Sequence, residues 1–155
     1  MKKLIAALSA MILMISAGAC SEKDNTPELR LEKERNCVIN YLGNDYNCTL
    51  GFLSDNVESV TLNSPETLSG LSFRCSNGKY TISLGSLICR SDSLLIPDDS
   101  FPAAVSGIMK DLRKNKENIK LSQAEKGFSY SSESKISYTV KTDNNGHITE
   151  IMLGN

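Results

Sequence analysis

Few residues in this chain could do chemistry: one histidine and five cysteines stand among its 155 residues. His147 follows Gly146 in Asp143-Asn144-Asn145-Gly146, a turn composition that predicts a solvated imidazole with no fixed partner. Nucleophilic catalysis by a Cys–His pair would need that turn to meet a strand cysteine, and no flanking signature supports it. The same tetrapeptide has the letters of a calcium loop without its spacing, because glycine belongs at the sixth position. Asp98-Asp99 precede a predicted helix, whose positive N-terminal end accounts for two carboxylates without any catalytic role. No phosphate loop, GxSxG or HExxH occurs. The inventory predicts a protein that is not an enzyme, with no catalytic residue, metal or cofactor.

One cysteine has a chemistry of its own. The chain opens Met-Lys-Lys, runs apolar from Leu4 to Ile15 with a break at Ser9, and continues Ser16-Ala17-Gly18-Ala19-Cys20. A basic start, a short apolar run and small residues before a cut describe a signal peptide. The run is too short for a bilayer span, which takes about 20 apolar residues. Ala17-Gly18-Ala19-Cys20 resembles a lipobox, in which the cysteine thiol takes diacylglycerol and the chain is cut before it. An ordinary cut after Ala19 is the competing reading. Two chains of the palmitate class, with a third on the new N-terminus, hold a protein stably where one would not. Residues 1–19 are thus read as the signal, and 20–33 as a lipidated cysteine and polar tether. The expected location is the extracytoplasmic face of the cell membrane, or the outer membrane if the source has two, since Ser21 is not the aspartate that retains lipoproteins at the inner one.

Removing Lys2 and Lys3 with the signal leaves fifteen basic against eighteen acidic residues, a net charge of −3. That balance argues against a nucleic-acid partner, which would need a basic stripe. Cys37, Cys48, Cys75 and Cys89 then remain, and two readings stand. They are disulfide-bonded, with Cys37 to Cys48 flanking one hairpin as the favoured pair, or they are small core residues on strands. None has CxxC spacing, so zinc is not expected.

The elements that position these residues are short strands around one helix. Alternation over Asn36–Leu42 and Asn47–Leu53 puts Cys48, Leu50 and Phe52 on one face, with Gly43-Asn44-Asp45 as the turn. Val60 and Leu62 point inward from the next strand, then Leu71, Phe73 and Cys75. Asn77-Gly78 between alternating runs is a strong hairpin signal, leading to Tyr80, Ile82 and Leu84. Leu87–Arg90 follows after Gly85-Ser86. Ser100 and Pro102 start a helix with Phe101, Ala104, Val105, Ile108 and Leu112 at helical spacing and Lys110, Arg113 and Lys114 near its end. Ile119–Leu121, Gly127–Ser131, Lys135–Thr142 and His147–Leu153 resume the strands. Residues 34–155 are therefore expected to form one α+β domain: an antiparallel sheet of about nine strands, curved by its own twist, with one main amphipathic helix across one face.

The order of these features resembles the LolA-like lipoprotein-carrier superfamily, in particular its small Firmicutes lipoproteins: a Ser-Pro break after Val57–Asn63, the turn Cys75–Tyr80, a proline-bearing link into the helix, and the Asp143–Gly146 hairpin. The resemblance implies that this sheet is a half-open half-barrel with the helix across its concave face, which holds acyl chains. The lining it implies is Leu50, Phe52, Val60, Leu62, Leu71, Phe73, Tyr80 and Ile82, faced by Phe101, Val105 and Ile108. The same residues would equally form a closed core. Many relatives continue with one more strand where this chain stops, which predicts an exposed final edge at Ile151 and Leu153. Two functions follow as expectations. One is a membrane-tethered domain binding a lipid or the acyl part of a lipoprotein. The other is an envelope scaffold with a closed core that binds a protein partner. If Cys20 is the anchor, Cys20→Ser should abolish the acyl groups and the cut that depends on them, so that mass spectrometry and membrane fractionation should read a changed mass and location.

Overall fold

Three tight turns organise the first half of the chain. Leu42-Gly43 have φ of 50° and 74°, and Asn77-Gly78 have 49° and 77°. Two central residues with positive φ make a type I′ turn, whose twist matches that of the strands it joins. Gly85, at φ 57°, opens the third two-residue turn with Ser86. The first turn is tighter than its composition suggests: Asn44 and Asp45 are not part of it but begin the second strand, with Tyr41 paired to Asn44. Leu42 takes the left-handed position that Asn or Gly would occupy more comfortably, and it is 66 % exposed there.

A computed structural model describes residues 28–54, 57–92, 95–114, 119–124, 127–133 and 137–154. Its strands are β1 (Arg35–Tyr41), β2 (Asn44–Ser54), β3 (Val57–Leu62), β4 (Ser72–Ser76), β5 (Lys79–Leu84), β6 (Leu87–Asp92), β7 (Lys120–Gln123), β8 (Phe128–Glu133), β9 (Ser137–Thr142) and β10 (Ile148–Leu153). One helix, α1 (Phe101–Lys114), lies between β6 and β7. All ten strands belong to one open sheet in the order β6-β5-β4-β3-β2-β1-β10-β9-β8-β7. The chain walks outward from β1 to β6, crosses through α1 to the other edge, and walks back to β10. Because both walks end in the middle, β1 and β10 meet there as a parallel pair.

Two expectations are corrected by that pairing. The sheet is mixed rather than wholly antiparallel, and it has ten strands rather than about nine. The last strand is not an exposed edge. β10 is hydrogen-bonded to β1 on one side and β9 on the other, and Ile151 is fully buried. The true edges are β6 and β7.

Register assigns one continuous face to α1. Opposed residues share a face, so Cys37 goes with Cys48, Cys48 with Leu62, Leu50 with Val60, Val60 with Phe73 and Phe73 with Ile82. On the other side of the centre, Ile39 goes with Ile151 and Ile151 with Val140. The helix buries Ala104, Val105, Ser106, Ile108, Met109 and Leu112 against this face. Its start is well placed: the Ala104 N–H donates to the Ser100 carbonyl at 2.9 Å. The Ser100 hydroxyl turns the other way and donates to the Pro97 carbonyl at 2.6 Å. Ahead of β1, the Arg30 N–H donates to the Gly146 carbonyl, and Leu29 and Leu31 pack on the core. A side chain at Gly146 would collide with the Glu28 carbonyl, so this close approach requires glycine.

The first turn supplies a test. Leu42→Asn puts a residue tolerant of positive φ into the type I′ position and removes an exposed leucine, so it should stabilise the domain by about 1 kcal/mol in urea denaturation.

Candidate functional site

The inward residues named above as a lining divide into two groups. Leu50, Phe52, Val60, Leu62, Val105 and Ile108 are all in the main buried cluster, in contact with the helix or with one another. Phe101, Phe73 and Leu71 pack at its margin. At this central part of the face the helix fills the space that a ligand would need.

Two attachments hold α1 there. At its start, Phe101 meets Tyr41, Tyr46 and Phe73 with ring centroids 5.4, 5.5 and 5.8 Å away. Pairs at these distances and tilts add to plain area burial. Towards its end, the Arg113 guanidinium sits 5.4 Å over the Phe52 ring and donates to Glu58 Oε1 at 3.1 Å.

Glu58 is the unexpected member of this site. It is 2 % exposed, in phase with Val60 and Leu62 on β3, and its second oxygen, Oε2, has no hydrogen-bond partner. Beside it are Tyr80, Cys75 and Ser106, all buried. The Lys110 ammonium lies 3.8 Å from the Cys75 sulfur. The gap among these groups is about 10 Å³, room for one water and no larger ligand. Burial pushes the Glu58 carboxyl above its ordinary range, outweighing the opposing pull of Arg113 and Lys110. Burial likewise raises the Tyr80 phenol. The sequence signal for this cluster is a glutamate in phase with two inward aliphatics, Val60 and Leu62.

Beyond the helix the face continues uncovered. Ile82 is half-buried, Leu84 is 42 % exposed and Leu87 73 % exposed. With Leu71 and Cys89 they line a shallow groove of about 340 Å³ at the β4–β6 end. Of the expected lining, only Leu71 and Ile82 reach it; Tyr80 is buried 5 % exposed beside Glu58 instead. Leu84, Leu87 and Cys89 belong to the same face through the pairs Leu84↔Leu87 and Ile82↔Cys89. Their alternation was visible in the sequence, but their exposure depends on where the helix ends.

The cysteines and the histidine are placed as follows. Cys37 and Cys48 stand directly opposite across β1 and β2, and both are free thiols. Burial pushes each up to about 12, so neither forms a reactive thiolate near neutrality. Cys75 is buried and Cys89 exposed, both free. His147 is less solvated than a turn residue should be. Its side chain is 17 % exposed, with Nδ1 3.1 Å from Glu32 Oε1. Asp143 organises the turn by accepting the N–H groups of Asn145 and His147 at 2.9 and 3.0 Å. Desolvation works upward on its carboxyl, but those two donors together with the charges of His147 and Arg35 outweigh it and hold the group below the usual carboxylate range.

Cys20, the proposed point of lipidation, lies outside the described residues. Among the described residues no helix is long and apolar enough to cross a membrane, and no group of three or more His, Cys, Asp or Glu could hold a metal ion. Set against family models, curated proteins and solved structures, the chain finds no match.

Glu58 yields a pH dependence of definite sign. A folded-state value above the ordinary glutamate range means that the native state keeps its proton where the unfolded state has lost it. Stability from this group is therefore full below about pH 4 and declines as pH rises through the raised folded value. Glu58→Gln removes that decline, so in urea denaturation wild type should lose stability relative to the variant as pH rises from 4 towards neutrality. An unchanged difference across that range would mean that Glu58 titrates normally.

Proposed function

We propose that this chain is a membrane-tethered, non-enzymatic envelope lipoprotein, anchored at Cys20, that takes an apolar ligand on the part of its helix-bearing face that α1 leaves uncovered. The ligand class is an acyl chain, of a free lipid or of another lipoprotein. One observation carries the reading: the apolar face runs past the helix into an open groove of about 340 Å³, with Leu84 and Leu87 exposed at its rim. Isolated exposed leucines are ordinary on a protein surface, whereas a contiguous apolar strip marks an interaction site.

The ligand surface proposed here is smaller than the one that the carrier resemblance implies. Leu50, Phe52, Val60 and Leu62 serve the core, while Leu71 and Ile82 join Leu84, Leu87 and Cys89 in contacting the ligand. A groove of this shape grips one chain along its side rather than enclosing it, which suits brief exchange at a membrane surface. No nucleic acid is involved on this reading.

A second reading is favoured by the filled centre of the face. The fold would then be an envelope scaffold with a closed core, binding a protein partner. The two separate in one experiment. Native mass spectrometry and lipid extraction of the protein should recover a bound acyl species from wild type. Leu84→Glu with Leu87→Glu should abolish it without lowering thermal stability, because both side chains are already exposed. Recovery of empty wild-type protein in repeated preparations, together with one dominant co-purifying protein, would replace the first reading by the second.

A further inference from the structure

The two edges of the sheet differ. β7 is four residues long and carries Lys120. β6 is six residues long, has neither lysine nor proline, and pairs with β5 without a bulge. Natural edges are usually blunted by short length, charged side chains (lysine above all), proline or bulges, because unpaired N–H and C=O groups invite another strand. On those criteria β7 is the better guarded edge; β6 is longer and regular, and its charges, Arg90 and Asp92, are of opposite sign. Leu87 and Ile88 are 73 % and 61 % exposed on β6, and Cys89 is exposed beside them.

The hydrogen-bond phase of β6 follows from its turn. Leu84 and Leu87 close the two-residue turn, so they exchange both of their backbone bonds. In an antiparallel pair, bonded and non-bonded positions then alternate. Ile82↔Cys89 is therefore bonded, while Ser83↔Ile88 and Thr81↔Arg90 are not. Cys89 thus spends its backbone groups on β5. Ile88 and Arg90 direct theirs out from the edge.

We propose that this edge takes a second copy of the same chain, β6 against β6, antiparallel, with the twofold axis at Cys89. Ile88 then bonds Arg90 of the second copy, and Arg90 bonds its Ile88, so one patch satisfies itself as a twofold interface must. Charge selects this register. Moving the axis to Arg90 would oppose two guanidinium groups, and like charges directly opposite are destabilising. Moving it to Ile88 would carry the pairing one residue further into the turn, to Gly85, whose φ of 57° is not extended. With the axis at Cys89, Arg90 faces Ile88 and Asp92 faces Ser86, and the arginine stem covers the exposed isoleucine. The side chains of Leu87, Cys89 and Ser91 share the helix-bearing face. The two grooves are therefore brought side by side across the new pair.

This inference does not depend on what occupies the groove, and the thiols supply its test. Cys89 would face Cys89 of the second copy as a non-bonded pair, about 4.5 Å between Cα atoms, within the range that a disulfide spans. Oxidised glutathione is the probe: two protein thiols give one disulfide, and the glutathione disulfide accepts the two electrons and two protons to leave as two thiols. The full chain in its membranes, treated in this way, should run as a dimer on non-reducing gels and return to monomer with dithiothreitol. Cys89→Ser should abolish the dimer band. Arg90→Pro removes an outward N–H without touching the ladder to β5, a position where an edge tolerates proline, and should lower the dimer fraction about tenfold with the circular dichroism unchanged. In the Cys89→Ser background, Ser91→Cys faces Leu87 and should not cross-link. No dimer band from wild type, a band that survives Cys89→Ser or Arg90→Pro undiminished, or equal cross-linking through Ser91→Cys would overturn the proposal.

Discussion

The seating of α1 on the sheet is the constraint from which the rest of the structure follows. Ten strands at about 4.8 Å spacing make a sheet some 43 Å across. A helix of fourteen residues is about 21 Å long and 10–12 Å thick. One such helix cannot cover one such face, whatever its angle. The centre is closed where Val105, Ile108, Met109 and Leu112 meet the strands around β1, and the ends of the face are left to solvent or to partners. At the β6 end this leaves Leu84 and Leu87, and at the β7 end Leu121, 43 % exposed.

The polar cluster under the helix bears on how firmly that seating is specified. A buried ion pair such as Glu58–Arg113 is weak evidence of net stability, because desolvation consumes much of the attraction between the charges. Removing one partner is another matter, since the remaining charge is then buried alone. The pair therefore penalises every placement of α1 in which Arg113 fails to reach Glu58 and Phe52. The aromatic contacts of Phe101 do the same at the other end. Apolar contacts alone would let a helix slide on an apolar face; these two attachments define its position along it.

Much of this was legible in the sequence, and the limits have physical causes. The helix was marked by the spacing of Phe101, Ala104, Val105, Ile108 and Leu112 and by Pro102 in its first turn, all local signals. Asn77-Gly78 announced its turn because few other dipeptides accept two positive φ values. Leu42-Gly43 did not, since a leucine in a left-handed conformation is tolerated only by the pairing of the strands around it. The parallel pairing of β1 with β10 joins residues more than a hundred positions apart and leaves no local mark, so local patterns make the last strand look like an edge. Alternation puts Leu50, Val60, Phe73 and Ile82 on one face, as the register does, but it cannot say whether an inward side chain meets a ligand or a helix. Leu50 and Ile82 share a face and a chemistry; only their distance from α1 separates core from groove.

The central position of β1 and β10 has a last consequence for the proposed anchoring. The segment leading into β1 runs beside the β9–β10 turn, where Arg30 bonds Gly146. That entry point is in the middle of the sheet order, while β6 lies five strands away, about 24 Å. A tether leading from Cys20 to this point would hold the domain by its centre. The groove and the less guarded edge would then lie well to one side of the attachment, free to meet an acyl chain or a second copy in the plane of the membrane. Had the chain entered at β6, the anchor itself would have crowded the only long open edge among the described strands. With the proposed anchor, the insertion of β1 and β10 into the centre of the sheet would separate the point of attachment from the proposed binding surfaces.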